Sequence, residues 1–259
     1  MKLNRALRYE IKSEAKLCIF RSLPLCIWAM AAYLLPSMLI GWIGGTASFD
    51  QPLRMLIQLL LCAVLEIVLL GPDMLGLQYF FVRIARGEMP PITELFQPLG
   101  EVKQVLRGIR MMLCLAARAV LFALIPTVLY EGVLFLLRDW INGLSLEQAY
   151  LVMLAAVSLY SLLLIPIAGR MASCWMGFAF LQQDDTCGVW RATGKGMALM
   201  RGQRRQMIAF ALSFVPWFIG GLFTLGILTA FGMMYLWVSL YLLFDRMQAQ
   251  PKQQTNDAN

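Results

Sequence analysis

Leu56–Gly76 reads LIQLLLCAVLEIVLLGPDMLG. As an α-helix at 1.5 Å per residue this run is about 30 Å long, the thickness of a bilayer's hydrocarbon core. It reads as a segment buried in oil, yet it carries a carboxylate at Glu66, a Gly71-Pro72 break and a second carboxylate at Asp73. The run decides the fold, and its interruptions raise the question of a site.

The rest of the chain repeats the pattern. Of 259 residues, 60% are hydrophobic and 14% charged, and mean hydropathy is +0.68, which with several runs of near-spanning length excludes the soluble globular class. The fold class expected is all-α: a polytopic transmembrane helical bundle of about six spans, with amphipathic interfacial helices on the cytoplasmic side. Residues 1–246 are read as a single membrane domain and 247–259 as a polar, disordered cytoplasmic tail. The N-terminal MKLNRALRYEIKSEAK is charged over too long a stretch to be a signal peptide, so the first span is expected to be retained.

At about 20 residues per crossing, the spans fall near 23–44, 55–76, 110–130, 148–168, 206–221 and 227–245. The run from Met207 to Phe244 is too long for one crossing, and GGLFTLG, Gly220 to Gly226, supplies the turn that divides it. Basic residues cluster before the first span and in the loops after the second and fourth, whereas the opposite loops hold only Arg54 and Arg138. The positive-inside rule therefore predicts both termini and the longer loops in the cytoplasm. The net charge of +7 then forms a layer facing anionic lipid headgroups, with no nucleic-acid partner implied.

Each pair of spans follows a segment with helical spacing: Leu3 to Phe20, Ile92 to Gly108 and Val189 to Arg201. These predict three hairpins in one orientation, each with its own helix in the headgroup plane. Helix breaks are expected at Gly71 and Pro72, and at Pro126, Pro166 and Pro216; they shape either packing or a cavity. Trp42, Tyr130, Trp140 and Tyr150 fall near the outer boundary, where an aromatic belt belongs.

Counted from Arg54, Glu66 lies about 18 Å deep, leaving roughly 12 Å to the inner edge of the core, and Arg118, counted from Arg110, lies about 12 Å from that same edge. Equal depth predicts a Glu66 to Arg118 pair, serving either as a clamp between helices or as the polar floor of a pathway. Asp73 reaches the inner interface, where Arg170 is its expected partner. Asp184 and Asp185, in LQQDDTCG, form an acidic doublet before the Val189 helix. Such a doublet caps a helix N-terminus or, as paired carboxylates, binds a hard cation; the cap is the stronger reading.

Little else points to chemistry. The chain has no histidine, which excludes a Ser-His dyad, an HExxH zinc site and a histidine proton shuttle. GKGMALM, Gly194 to Met200, lacks the ending of a phosphate-binding loop. The six cysteines are scattered without a CxxC and read as reduced apolar residues. No catalytic residue, metal site or cofactor is expected.

Several short motifs, GLQYFFVRIARGE (Gly76 to Glu88), Ile125-Pro126, Met200-Arg201-Gly202, LSFVPW (Leu212 to Trp217) and the final GILTAFGMMYLWVSLYLLF, occur in an order that resembles one bacterial integral-membrane family. That family is DUF975, a domain of unknown function. Where its pattern usually has glycine, Thr127 and Pro216 stand here. The resemblance implies a multi-span bacterial membrane protein and brings no activity or ligand. The expected function is non-enzymatic action on membrane lipid or peptide, or support of a membrane-protein partner or second copy; the alternative is a small transporter with its pathway at Glu66 and Arg118.

Overall fold

The computed structural model describes residues 4–45 and 52–256. Every regular element among them is helical: α1 (Arg5–Arg21), α2 (Leu23–Gly45), α3 (Pro52–Leu65), α4 (Gly71–Ala85), α5 (Val102–Asn142), α6 (Leu146–Trp175), α7 (Gly177–Gln183), α8 (Val189–Leu199), α9 (Arg204–Leu212), α10 (Val215–Phe223) and α11 (Ile227–Asn256). Six stretches of the described residues are long and apolar enough to cross a bilayer: Leu23–Gly45, Leu53–Ala85, Val102–Asn142, Leu146–Gln183, Arg204–Phe223 and Ile227–Ala249. The chain is an all-α, multi-pass membrane protein, and each of the six expected spans lies within one of these stretches.

The prolines act in two ways. Pro72 has no N–H to give the preceding turn, and the helix answers with a π-helical turn over Glu66–Leu70 instead of breaking. The second span is therefore one rod in which Gly71 and Pro72 open α4. Pro126 and Pro166 likewise lie inside the continuous helices α5 and α6. Pro216 does coincide with an interruption: Ser213 and Phe214 form a turn, and Pro216 is the second residue of α10. The turn before α11 uses Leu225 at φ 50° and Gly226 at φ 88°, and Gly226 N–H donates to the Gly221 carbonyl at 2.9 Å.

Burial is uneven along the spans. The core gathers where the returning helices of the hairpins meet: Leu75, Phe80 and Phe81 of α4, Phe178 of α7, and Trp237, Tyr241 and Phe244 of α11 are all essentially inaccessible. Gln78 sits among them, fully buried, its Oε1 accepting from Trp175 Nε1 at 3.0 Å and from the Tyr241 hydroxyl at 2.5 Å. From Ala119 to Ala168, by contrast, no residue is buried. Lipid is as apolar as leucine, so helices in it have no hydrophobic reason to pack on one another.

The segments expected in the headgroup plane take three forms. In α1, Leu7, Ile11, Ala15 and Ile19 are buried in packing that joins α1 to α11, so that stripe faces protein. Arg246 of α11 reaches back to Glu10 at 2.9 Å and Glu14 at 2.8 Å. The second segment is not one helix: Ile92–Gly100 is 3-10 and the α-helix starts at Val102, because Pro98 and Gly100 disfavour an α-helical interior. The third is α8. α11 runs to Asn256; residues 257–259 of the expected tail lie outside the described residues.

Candidate functional site

At 41 residues, α5 is about 61 Å long at 1.5 Å per residue, twice the thickness of a bilayer core. Its ends must project or tilt, and its first turns carry Lys103, Arg107 and Arg110. Where these turns meet the start of α8 they line an open cleft of about 880 Å³, whose walls also include Cys114, Asp185, Trp190 and Arg191.

Arg107 organises the loop into α8. The residue is 7% exposed; it donates to Asp185 Oδ1 and to the Asp184 carbonyl, each at 2.7 Å, and to the Cys187 carbonyl at 3.5 Å. Asp184 Oδ1 in turn accepts from Thr186 N–H at 2.9 Å and the Thr186 hydroxyl at 2.6 Å. These two bonds hold the Asp184 carboxyl below the usual carboxylate range. The acidic doublet is therefore a receptor for Arg107 and a turn former. The cap on α8 is Gly188, and among the described residues no side chain bonds the helix's first amides. These free N–H groups and the helix dipole add a positive potential to the cleft.

The cleft is unbalanced in charge. Lys103, Arg107, Arg110 and Arg191 face one carboxylate, Asp185, which Arg107 engages. Lys103, Arg110 and Arg191 are exposed and form no ion pair among the described residues.

Arg118 deepens the imbalance. It is 6% exposed, and its Nη2 donates to the Trp190 carbonyl at 3.0 Å. Nη1 lies 3.6 Å from Met197 Sδ, and the guanidinium stands 4.0 Å over the Trp190 ring; Nε is buried without a hydrogen-bond partner among the described residues. A desolvated cation over an indole gains about 2 kcal/mol. No carboxylate neutralises it among the described residues.

The structure does not bring Glu66 and Arg118 together. Glu66 is exposed on the π turn, while Arg118 points at α8. Equal depth fixed their height and left rotation open: α5 meets α4 through Gly108, whose added Cβ would stand 2.7 Å from the Gly71 carbonyl oxygen. Ten residues on, at 100° per residue, Arg118 faces roughly 80° away from that side. Asp73 and Arg170 are apart as well. Asp73 is 7% exposed with Oδ1 unbonded, whereas Arg170 is exposed and sits 5.4 Å over the Phe122 ring. Among the described residues no group of three or more cysteine or carboxylate side chains is placed to hold a metal.

Of the residues that build this site, the sequence singles out Arg118 and the Asp184–Asp185 doublet, though with other partners. Arg107 and Arg191 read there as loop cations, and nothing local marks Trp190. Outside the site, Gln78 is a usable signal: a lone amide in an apolar run has to be hydrogen-bonded if buried.

A family model described as "Protein of unknown function (DUF975)" matches residues 1–250. No curated protein and no solved structure matches the chain.

Proposed function

Since the chain belongs to the DUF975 family, whose description names no activity, we propose that it is a non-enzymatic membrane protein that binds anionic lipid headgroups in the α5–α8 cleft. In this reading it lies in a bacterial cytoplasmic membrane, with both termini and the cleft on the cytoplasmic side. The observation that carries the proposal is the cleft's excess of cations over carboxylates, set beside an uncapped helix start and a buried, unneutralised Arg118. Guanidinium forks and free helix amides both suit phosphate oxygens, and Trp190 is the amphipathic residue that prefers headgroup depth. A transport route through Glu66 and Arg118 draws no support from this geometry, because the two do not face one volume.

The test is lipid retention. Protein reconstituted in nanodiscs of phosphatidylcholine doped with phosphatidylglycerol is extracted and weighed by native mass spectrometry. Wild type should retain phosphatidylglycerol preferentially, and the triple variant Lys103→Gln, Arg110→Gln, Arg191→Gln should lose that preference by tenfold or more while keeping its thermal unfolding. Equal retention by both proteins defeats the proposal. Reporter fusions at the C-terminus decide the orientation, and a signal from outside the cytoplasm removes that part of it.

A further inference from the structure

Arg118 touches Trp190, which lines the cleft, and Met197, which lines a second cavity of about 250 Å³ between α5, α6, α8 and α9. We propose that this second cavity binds a single fatty acid, its carboxylate held by Arg170 and Arg204 and the first part of its chain lying against Phe122, Pro166, Met197 and Ile208.

The charge pattern selects an anion. Arg170 and Arg204 are the charged residues of the cavity lining, and no carboxylate lines it. Arg204 has no hydrogen bond, ion pair or ring contact among the described residues, and Arg170 has only the face of Phe122. Two guanidiniums lining one cavity with no carboxylate between them favour an anion, and their forks match a carboxylate in two-point contact. Behind them the wall is apolar apart from Ser173, whose hydroxyl already donates to the Gly169 carbonyl at 2.9 Å.

Size selects one chain. At roughly 30 Å³ per water-sized group, the cavity holds about eight such groups, enough for the start of one acyl chain and too few for the glycerol and paired chains of a phospholipid. The helix contact bounds the space: at Gly169 an added Cβ would stand 2.6 Å from Ile208 Cγ1 and 3.4 Å from the Ile208 backbone N and Cα, so α9 lies directly on α6 there. Pro166 also lines the cavity. The assignment shares no lining residue with the cleft and stands whether or not the cleft binds headgroups.

Tritiated laurate, bound to protein in phosphatidylcholine nanodiscs and counted above protein-free discs, tests it. Wild type should bind saturably at one site per chain. Arg170→Gln with Arg204→Gln should weaken binding at least tenfold, and Ile208→Trp, which fills the cavity and leaves both arginines, should do the same. The triple cleft variant should bind laurate like wild type. Unaltered laurate binding by Ile208→Trp or by the arginine double variant overturns the proposal, as does loss of binding in the cleft variant. Preferential displacement of laurate by lysophosphatidylglycerol rather than by unlabelled laurate overturns the choice of a carboxylate.

Discussion

Arg107 of α5 donates to Asp185 Oδ1 at 2.7 Å across 78 residues of sequence, and the same guanidinium ties down the Asp184 and Cys187 carbonyls. One buried cation thus sets the path by which the chain enters α8. The two partners are unequal: the Arg107 side chain is 8% exposed and that of Asp185 is 69% exposed. Asp185→Asn keeps an acceptor in a largely solvated position, and its expected cost is about 0.5 kcal/mol. Arg107→Met leaves two carbonyls and a carboxylate without their donor, and should cost about 3 kcal/mol. Thermal unfolding of both variants in detergent, followed by tryptophan fluorescence, checks the order; a larger loss for Asp185→Asn would mean that the loop hangs on the carboxylate instead.

Gly108 is where α5 meets the opening of α4. An added Cβ would stand 2.7 Å from both the Gly71 oxygen and Pro72 Cα, and these are backbone atoms that no rotamer change can withdraw. Gly108→Ala should therefore destabilise by about 1–3 kcal/mol, as overpacking does. Gly41 has nothing within 4 Å of its added Cβ, so Gly41→Ala should be neutral or slightly stabilising. Equal melting temperatures for the two variants would show that the helices separate easily at Gly108.

Gln78 supplies one acceptor to two donors, Nε1 of the half-buried Trp175 and the buried Tyr241 hydroxyl. Gln78→Leu strands both, and a loss of about 2–4 kcal/mol is expected. Tyr241→Phe removes one donor and leaves the amide its bond to Trp175, so it should cost about 1 kcal/mol. A smaller loss for Gln78→Leu than for Tyr241→Phe would contradict the view that the amide is the hub.

The spans were legible because length and hydropathy act along the chain: Leu23 to Gly45 and Ile227 to Ala249 need no tertiary information to be recognised. The Gly220–Gly226 turn was legible for the same reason, since a strong break within a long apolar run divides it. What sequence could not supply was rotation about each helix axis. Depth counting put Glu66 and Arg118 at one height, and only the Gly108 contact, made by the absence of a side chain, turns Arg118 towards α8. The acidic doublet failed as a cap for a related reason: its partner, Arg107, lies in another helix, and nothing local announces the meeting.

That rotation gives the sharpest test. If Glu66 and Arg118 formed an ion pair, removing either would leave the other's charge alone at membrane depth, and a double-mutant cycle would show coupling of about 0.5–3 kcal/mol. In the structure Glu66 is exposed and Arg118 is held by the Trp190 carbonyl, the Trp190 ring and Met197. Glu66→Gln should leave thermal stability unchanged. Arg118→Met, which exchanges a buried charge for an apolar side chain, should change it by no more than about 1 kcal/mol, because lost contacts and lost desolvation oppose each other. The two changes together should add to within about 0.5 kcal/mol. A larger coupling would restore the pair and move Arg118 off α8; additivity, with phosphatidylglycerol retention weakened by Arg118→Met and not by Glu66→Gln, assigns the buried charge to the cleft.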